Sequence, residues 1–206
     1  RTDKTQKQGG ITFVLIDMDS PGVEVKPIQM ISGMSPFCET FFTDVKVPKE
    51  NRVGEEGQGW TIGKRLLQHE RSNLSRGGSR LMPSGPSLAD IAKKYVGADD
   101  QGRVADPDLR ARIAKFEMDW RAFLLTAMRV QAESKAVGGV SEVSSILKTV
   151  GTKLGQERAE LMIEIQGLQG LGWEGEGFTA QELAGVRGWL FGKATTIYGG
   201  STEIQN

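Results

Sequence analysis

Hydrophobic and polar positions change rhythm near residue 54. Before it, apolar residues run in short blocks or alternate with charges. Ile11 to Met18 is almost continuously apolar and rich in β-branched residues, the pattern of a strand buried on both faces. Val23 and Val25 alternate with Glu24 and Lys26, which gives that strand one wet face. Phe41, Thr43, Val45 and Val47 alternate with Phe42, Asp44 and Lys46, predicting another two-faced strand. Ser20-Pro21-Gly22 and Ser32-Gly33 punctuate these segments as turns.

After Pro48 the spacing turns helical. Gly54, Gly57 and Gly59 lead into a helix predicted to begin around Trp60. Asp106 as N-cap with Pro107 at the first helical position announces a second. Ile113, Phe116, Trp120, Phe123, Leu124 and Ala127 follow it at helical spacing. A third helix is expected from near Ser141, its stripe formed by Val143, Ile146, Leu147, Val150 and Leu154. Thr179 and Glu182 stand in a capping-box relation and open a fourth. Single apolar stripes on successive helices predict antiparallel packing. The expected fold class is α+β: a partial β-sheet domain over residues 1–53, then an antiparallel four-helix bundle over residues 54–206.

Composition narrows the function classes. The chain has 206 residues, enough for one domain with a real core or for one domain and part of another. Its 26 basic and 26 acidic residues lack the basic excess that nucleic acid or a membrane surface demands. Cys38 and His69 are the sole cysteine and histidine, so no intrachain disulfide and no His/Cys metal cluster is expected. No apolar run approaches the roughly 20 residues of a membrane span, no signal-peptide pattern opens the chain, and a cytoplasmic location is expected. The polar opening from Arg1 to Gly10, without a methionine, reads as a connection inside a hairpin, so a preceding part of the protein is expected.

Three runs carry a family resemblance. Gly10-Ile11-Thr12-Phe13-Val14-Leu15-Ile16 through Asp19-Ser20-Pro21-Gly22-Val23 is the first. Phe42-Thr43-Asp44-Val45-Lys46-Val47-Pro48 followed by Val53-Gly54-Glu55-Glu56-Gly57-Gln58-Gly59-Trp60 is the second and most specific. The closing Ile197-Tyr198-Gly199-Gly200-Ser201-Thr202-Glu203-Ile204-Gln205 is the third. Together they resemble the C-terminal half of the flavin-dependent acyl-CoA dehydrogenases, namely the end of the middle β-domain and the C-terminal helical domain. The resemblance covers nearly the whole chain and is weakest between about residues 80 and 110.

The resemblance implies a protein about twice this length that encloses FAD and an acyl-CoA, with this chain inactive alone. It implies α,β-dehydrogenation of an acyl thioester in fatty-acid or other lipid metabolism. A base takes the α-proton and the β-hydrogen leaves as hydride to the flavin. It also implies a homotetramer or heterotetramer, and electron-transfer flavoprotein or a similar acceptor as a partner. An acyl-CoA oxidase and a non-catalytic partner subunit of a heteromeric dehydrogenase are the alternatives.

Many members carry the base directly after the tyrosine of the closing run, where this chain has Gly199. Others place a glutamate before an arginine on the first long helix, and Glu70-Arg71 matches that pattern, Arg71 lying on the substrate side. On a helix Glu70 stacks between Leu66 and Leu74, with Leu67 and Asn73 beside it and no basic residue three or four positions away. Such an apolar setting disfavours the charged form, as a base for a weak carbon acid requires. An ion pair with an arginine from another element is the structural alternative. His69 adjoins Glu70 but faces elsewhere, which suits a structural or substrate-lining role.

By resemblance, the Gly199 backbone N–H polarises the thioester carbonyl, and Tyr198 and Gly200 border the substrate. A plain turn at Gly199-Gly200 and a core position for Tyr198 are the alternatives. Ser201 and Glu203 fall on positions that contact FAD, with glutamate in place of the family's glutamine. Gln166 and Gly170 resemble the segment that touches the adenosine-diphosphate end of a neighbouring subunit's flavin; a helix C-cap and loop would use glycine equally well. The family's Arg-x-x-Phe-Gly stretch is replaced by Gly97-Ala98-Asp99-Asp100-Gln101-Gly102, whose aspartates would repel a pyrophosphate.

Overall fold

The computed structural model describes residues 1–76, 86–137 and 143–205. Its elements are β1 (Phe13–Val14), β2 (Val23–Ile28), β3 (Phe37–Phe42), β4 (Arg52–Val53), α1 (Gly59–Arg76), α2 (Leu88–Val96), α3 (Pro107–Val137), α4 (Val143–Gln166), α5 (Ala180–Gly192) and α6 (Thr202–Gln205). Single-turn 3₁₀ segments occupy Lys49–Asn51, Gly167–Leu171 and Lys193–Thr196. The protein is thus a mixture of helices and small sheets. By its internal contacts it divides into two units, residues 1–29 with 35–77, and residues 30–34 with 78–206.

In the first unit β2 and β3 form an antiparallel ladder from Val23↔Phe42 to Ile28↔Phe37, and β1 pairs with β4. The expected turns are present: Val23 N–H donates to Ser20 O at 3.1 Å, and Gly33 N–H to Met30 O at 2.9 Å. The run expected to be buried on both faces is paired only at Phe13–Val14, and Val14, Leu15 and Met18 are exposed. Two two-stranded ladders offer no second layer to cover it. The strand expected around Phe41 to Val47 lies earlier, because Asp44 adopts φ 52° and turns the chain out of the ladder. After glycine, a short polar side chain such as Asp tolerates that left-handed conformation best.

The glycine-rich lead into α1 closes on the opening segment. Gly59 N–H donates to Ile11 O at 2.7 Å, and a Cβ at Gly59 would lie 2.7 Å from that oxygen, so no side chain fits. Gly57 N–H donates to Thr12 Oγ1 at 3.0 Å. These contacts group α1 with the strands rather than with the other helices.

In the second unit one core joins α2, α3 and α4: Leu88, Ile91 and Ala92 meet Leu109, Ile113, Phe116 and Phe123, and Leu154, Leu161 and Ile165. Phe116, Trp120 and Phe123 stack along α3, with ring centroids 6.1 and 5.5 Å apart. The stripe expected on the third helix splits, since Leu147 and Leu154 face the core while Ile146 and Val150 are exposed. Ser141, where that helix is expected to start, lies outside the described residues.

Both expected caps form. Asp106 Oδ1 accepts from Leu109 N–H at 3.0 Å. Thr179 and Glu182 exchange both bonds of a capping box. Helix α2 is unforeseen, and Ser87 caps it by accepting from Asp90 N–H at 3.1 Å.

Tyr95 near the end of α2 donates to Glu182 Oε1 on α5 at 2.6 Å, tying α2 to the α5 capping box. That bond, aided by burial, pushes the Tyr95 hydroxyl up to about 12. The Tyr95 hydroxyl, then the Thr179 N–H, hold the Glu182 carboxyl below the usual carboxylate range. A depressed carboxyl binds fewer protons folded than unfolded, so its contribution is present at neutral pH and is lost as pH falls below the ordinary glutamate value of about 4.3. Thermal melts of the full-length protein are therefore expected to decline less steeply below that pH in Glu182→Gln than in the parent. Equal slopes would show that the carboxylate contributes nothing.

Candidate active site

The closing segment is built around α4. Gln156 Nε2 donates to Gly192 O at 3.0 Å and Lys193 O at 3.3 Å, satisfying carbonyls at the end of α5. Lys193 pairs with Glu160. The chain then turns: Ile197 and Tyr198 N–H both donate to Ala194 O, at 3.0 and 3.2 Å. Gly199 and Gly200 follow with φ of 69° and 102°, a region where a side chain is strained. Lys148 of α4 donates to the Gly200 carbonyl. Ser201 O accepts from Ile204 N–H at 3.0 Å as α6 begins.

Glu203 lies at this turn. Its own backbone N–H and the Ser201 hydroxyl donate to it, and Lys148 adds a favourable charge; together they hold its carboxyl below the usual range. The substitution of glutamate for a neutral amide thus has a local cation beside it. Tyr198 is 49% exposed.

Gln166 and Gly170 form a second, separate group. Lys148 and Gln166 are eighteen residues apart on α4, about 27 Å at the helical rise, so they serve different points. Gln166 is buried, and its Oε1 and that of Gln169 have no hydrogen-bond partner among the described residues. Gly170 is required by packing, since a Cβ there would lie 2.5 Å from Ile163 O.

Glu70 and Arg71 lie on α1, but their side chains, like that of Leu74, fall outside the described residues. Leu66 and Leu67, expected to bury the stripe around Glu70, are 57% and 54% exposed. Helix α1 contacts its own unit through its first turn, where Gly59 meets Ile11, and Leu66 and Leu67 lie beyond that turn. His69 is exposed.

The segment that replaces Arg-x-x-Phe-Gly is a small hairpin bridged at Ala98↔Val104. Asp99 organises it, accepting from the Gln101 and Arg103 amides at 3.0 and 2.9 Å and from Arg103 Nε at 2.8 Å. The Arg103 amide and side chain keep the Asp99 carboxyl low. A groove of about 220 Å³ between α3 and α4, lined by Arg112, Lys115, Glu157, Glu160 and Leu161, contains none of the predicted site residues. Its charges pair with neighbours outside the groove, as in Arg112–Glu164, Lys115–Asp119 and Lys193–Glu160.

The residue missed from sequence is Lys148. Its signal is a polar row at every fourth position of α4 (Lys148, Thr152, Gln156 and Glu160), which a helix places on one side.

Comparison with known proteins decides the family. The domain described as acyl-CoA dehydrogenase, C-terminal domain, matches residues 57–206. The chain belongs to the acyl-CoA dehydrogenase family. Acyl-CoA dehydrogenase IpdE1 of Mycolicibacterium smegmatis is 32% identical over 207 residues, covering 100% of this chain and 49% of that protein. This family member therefore spans about half the length of that relative. Among solved structures, the Tcur3481-Tcur3483 steroid ACAD superposes with a TM-score of 0.77 at 24% identity, over 100% of this chain and 52% of the other. A glutaryl-coenzyme A dehydrogenase in complex with glutaryl-CoA gives 0.72 at 25% identity, over 99% and 50%.

Proposed function

We propose that the whole protein is an FAD-dependent acyl-CoA dehydrogenase in which Glu70 removes the α-proton of an acyl thioester. The observation that carries this reading is the closing turn. Gly199 stands where many members keep their base, and Glu70-Arg71 on α1 matches the alternative placement. Gly199 retains a backbone donor for the thioester carbonyl, and a donor aimed at developing oxyanion charge is worth about 10²–10³-fold in rate. Tyr198, half exposed beside it, and Gly200 border the acyl group, with Arg71 on the substrate side.

The residues fit FAD. Buried amide oxygens without partners, as at Gln166 and Gln169, call for a ligand or solvent, and a flipped amide offers a donor instead. Gly170 brings backbone close at the same end, while Ser201 and Glu203 would hold the opposite end of an elongated cofactor. Bound FAD would supply the hydride acceptor. Lys148, beside the closing turn, and Gln166 stand roughly 27 Å apart along α4. That separation supports the two groups meeting different flavins, with Gln166 and Gly170 serving a neighbouring subunit's, hence a homotetramer or heterotetramer.

Residues 1–53 are read as the end of a middle β-domain and 54–206 as the C-terminal helical domain, the exposed strand and Leu66 and Leu67 being covered by the rest of the protein. Electron-transfer flavoprotein or a similar acceptor takes the electrons, in the cytoplasm. A second reading, a non-catalytic partner subunit, is favoured by Gly199 alone.

Purified full-length protein is expected to be yellow and to bleach anaerobically with at least one thioester from a panel of straight, branched and ring-bearing acyl-CoAs. A colourless protein, or a yellow one that no thioester bleaches, would overturn the catalytic reading in favour of the partner subunit.

A further inference from the structure

We infer that Lys148 is a positioning residue for the closing turn, its ammonium anchoring the Gly200 carbonyl so that the Gly199-Gly200 backbone is held in one orientation; the consequence for turnover rests on the dehydrogenase reading above. Consecutive glycines at positive φ have the widest intrinsic conformational choice of any residues in the segment. Ordering them costs roughly 1–2 kcal/mol per residue in conformational entropy, so a donor made of backbone there is useful only if something fixes it. The entry side is fixed by the bonds from Ile197 and Tyr198 N–H to Ala194 O. The exit side is fixed by Lys148. Only Gly199 and Gly200 bridge the two anchors.

Lys148 is suited to this task. It is half-buried, and a hydrogen bond from an ammonium is stronger than a neutral one. Glu203 lies in its field, so the cation has a charge partner in the same segment as its backbone acceptor. The polar row on α4 continues the attachment through Gln156 and Glu160. From Lys148 to Glu160 that row runs about 18 Å along a single helix, a rigid rail against which the segment from Gly192 to Gly200 is set.

Two readouts on the full-length flavoprotein separate this inference from the functional one. The first is amide hydrogen exchange without substrate. Lys148→Met is expected to speed exchange of residues 199–204 roughly tenfold, as loss of a charged hydrogen bond should, while α3 is unchanged. Lys153→Met, at an exposed position on the same helix, is expected to alter nothing. The second readout uses a thioester that bleaches the parent. Flavin reduction at saturation should fall about 10–100-fold in Lys148→Met, somewhat less than outright loss of an oxyanion donor, with the half-saturating concentration within a few-fold. The infrared carbonyl stretch of the bound enoyl-CoA should move back toward its value in water.

Lys148→Gln keeps a donor without the charge and is expected to fall between parent and Lys148→Met, which keeps the test decisive if the methionine variant does not fold. Unchanged exchange at 199–204 in a folded variant overturns the anchoring role. Faster exchange with unchanged reduction rate and carbonyl stretch overturns the positioning role. Faster exchange in a protein that no thioester bleaches upholds the anchor and overturns the dehydrogenase reading instead.

Discussion

Glu70→Gln in the full-length protein is expected to abolish reduction of FAD by acyl-CoA while FAD content and acyl-CoA binding persist. α,β-Dehydrogenation needs a carboxylate at the substrate's α-carbon, and the closing turn offers only Gly199 at the position many members use. Glu70 lies on α1 before Arg71, the other placement seen in the family. Glutamine is nearly isosteric but takes no proton, so binding should survive as proton abstraction fails. Loss of a general base typically costs about 10²–10⁴-fold. Stopped-flow bleaching with the best substrate, alongside flavin absorbance per protein, measures both halves. Reduction within a few-fold of the parent would make Glu70 structural.

The closing turn supplies the second arm. Among the described residues a Cβ at Gly199 meets nothing within 4 Å, although φ is 69°. Glutamate would therefore find space there at a backbone cost of about 1 kcal/mol. Gly199→Glu in the Glu70→Gln background is expected to recover part of the lost rate if both positions reach the same α-carbon. A double variant that holds FAD and acyl-CoA but stays inactive would count against a shared target.

What was legible in the sequence followed local chemistry. Asp106-Pro107 and Thr179 with Glu182 specify helix starts through hydrogen bonds a few residues long, and both appear as expected. The same grammar marks α2, where Ser87 precedes Asp90 and Leu88, Ile91, Ala92 and Tyr95 follow helical spacing, but the short run lies in the stretch of weakest resemblance. Strand extent was less legible. Alternation through Phe41 to Val47 cannot sense that Asp44 adopts a left-handed conformation and ends the ladder. Burial was least legible. Apolar periodicity at Ile11 to Met18 and at Leu66 and Leu67 states that a face wants cover, not that the cover belongs to the same chain.

The candidate site divides in the same way. The Gly199-Gly200 turn was readable as one of two alternatives because glycine pairs favour it. Ser201 and Glu203 were read only toward a cofactor, and their hydrogen bond to one another was not anticipated. Lys148 was not readable, since fifty-two residues separate it from Gly200 and a lysine in a helix ordinarily marks a solvated face. Asp99 and Asp100 were read only as groups that would repel a pyrophosphate; three-dimensional contacts with Arg103 and Arg110 make Asp99 the organiser of a hairpin. Charge in sequence reports sign, while its use depends on partners brought by the fold.

Phe116→Ala is the substitution expected to cost most in stability. Phe116 is 2% exposed at the centre of the core shared by α2, α3 and α4, and its ring stacks on Trp120 with centroids 6.1 Å apart. Removing the ring forfeits its transfer free energy and leaves a void. Neighbours on three helices cannot close it together, and such changes cost about 3–5 kcal/mol. Met118, two residues along the same helix, is 73% exposed; Met118→Ala should stay within about 0.5 kcal/mol of the parent. The pair controls for helix propensity, because both variants place alanine in α3. Denaturant midpoints of the full-length protein, read by far-UV circular dichroism, are expected to fall clearly for the first and barely for the second. Equal midpoints would mean that the helices do not pack on Phe116 as one core. A loss in Phe116→Ala accompanied by weaker FAD retention would further show that this core supports the helical framework from which α4 holds the closing turn.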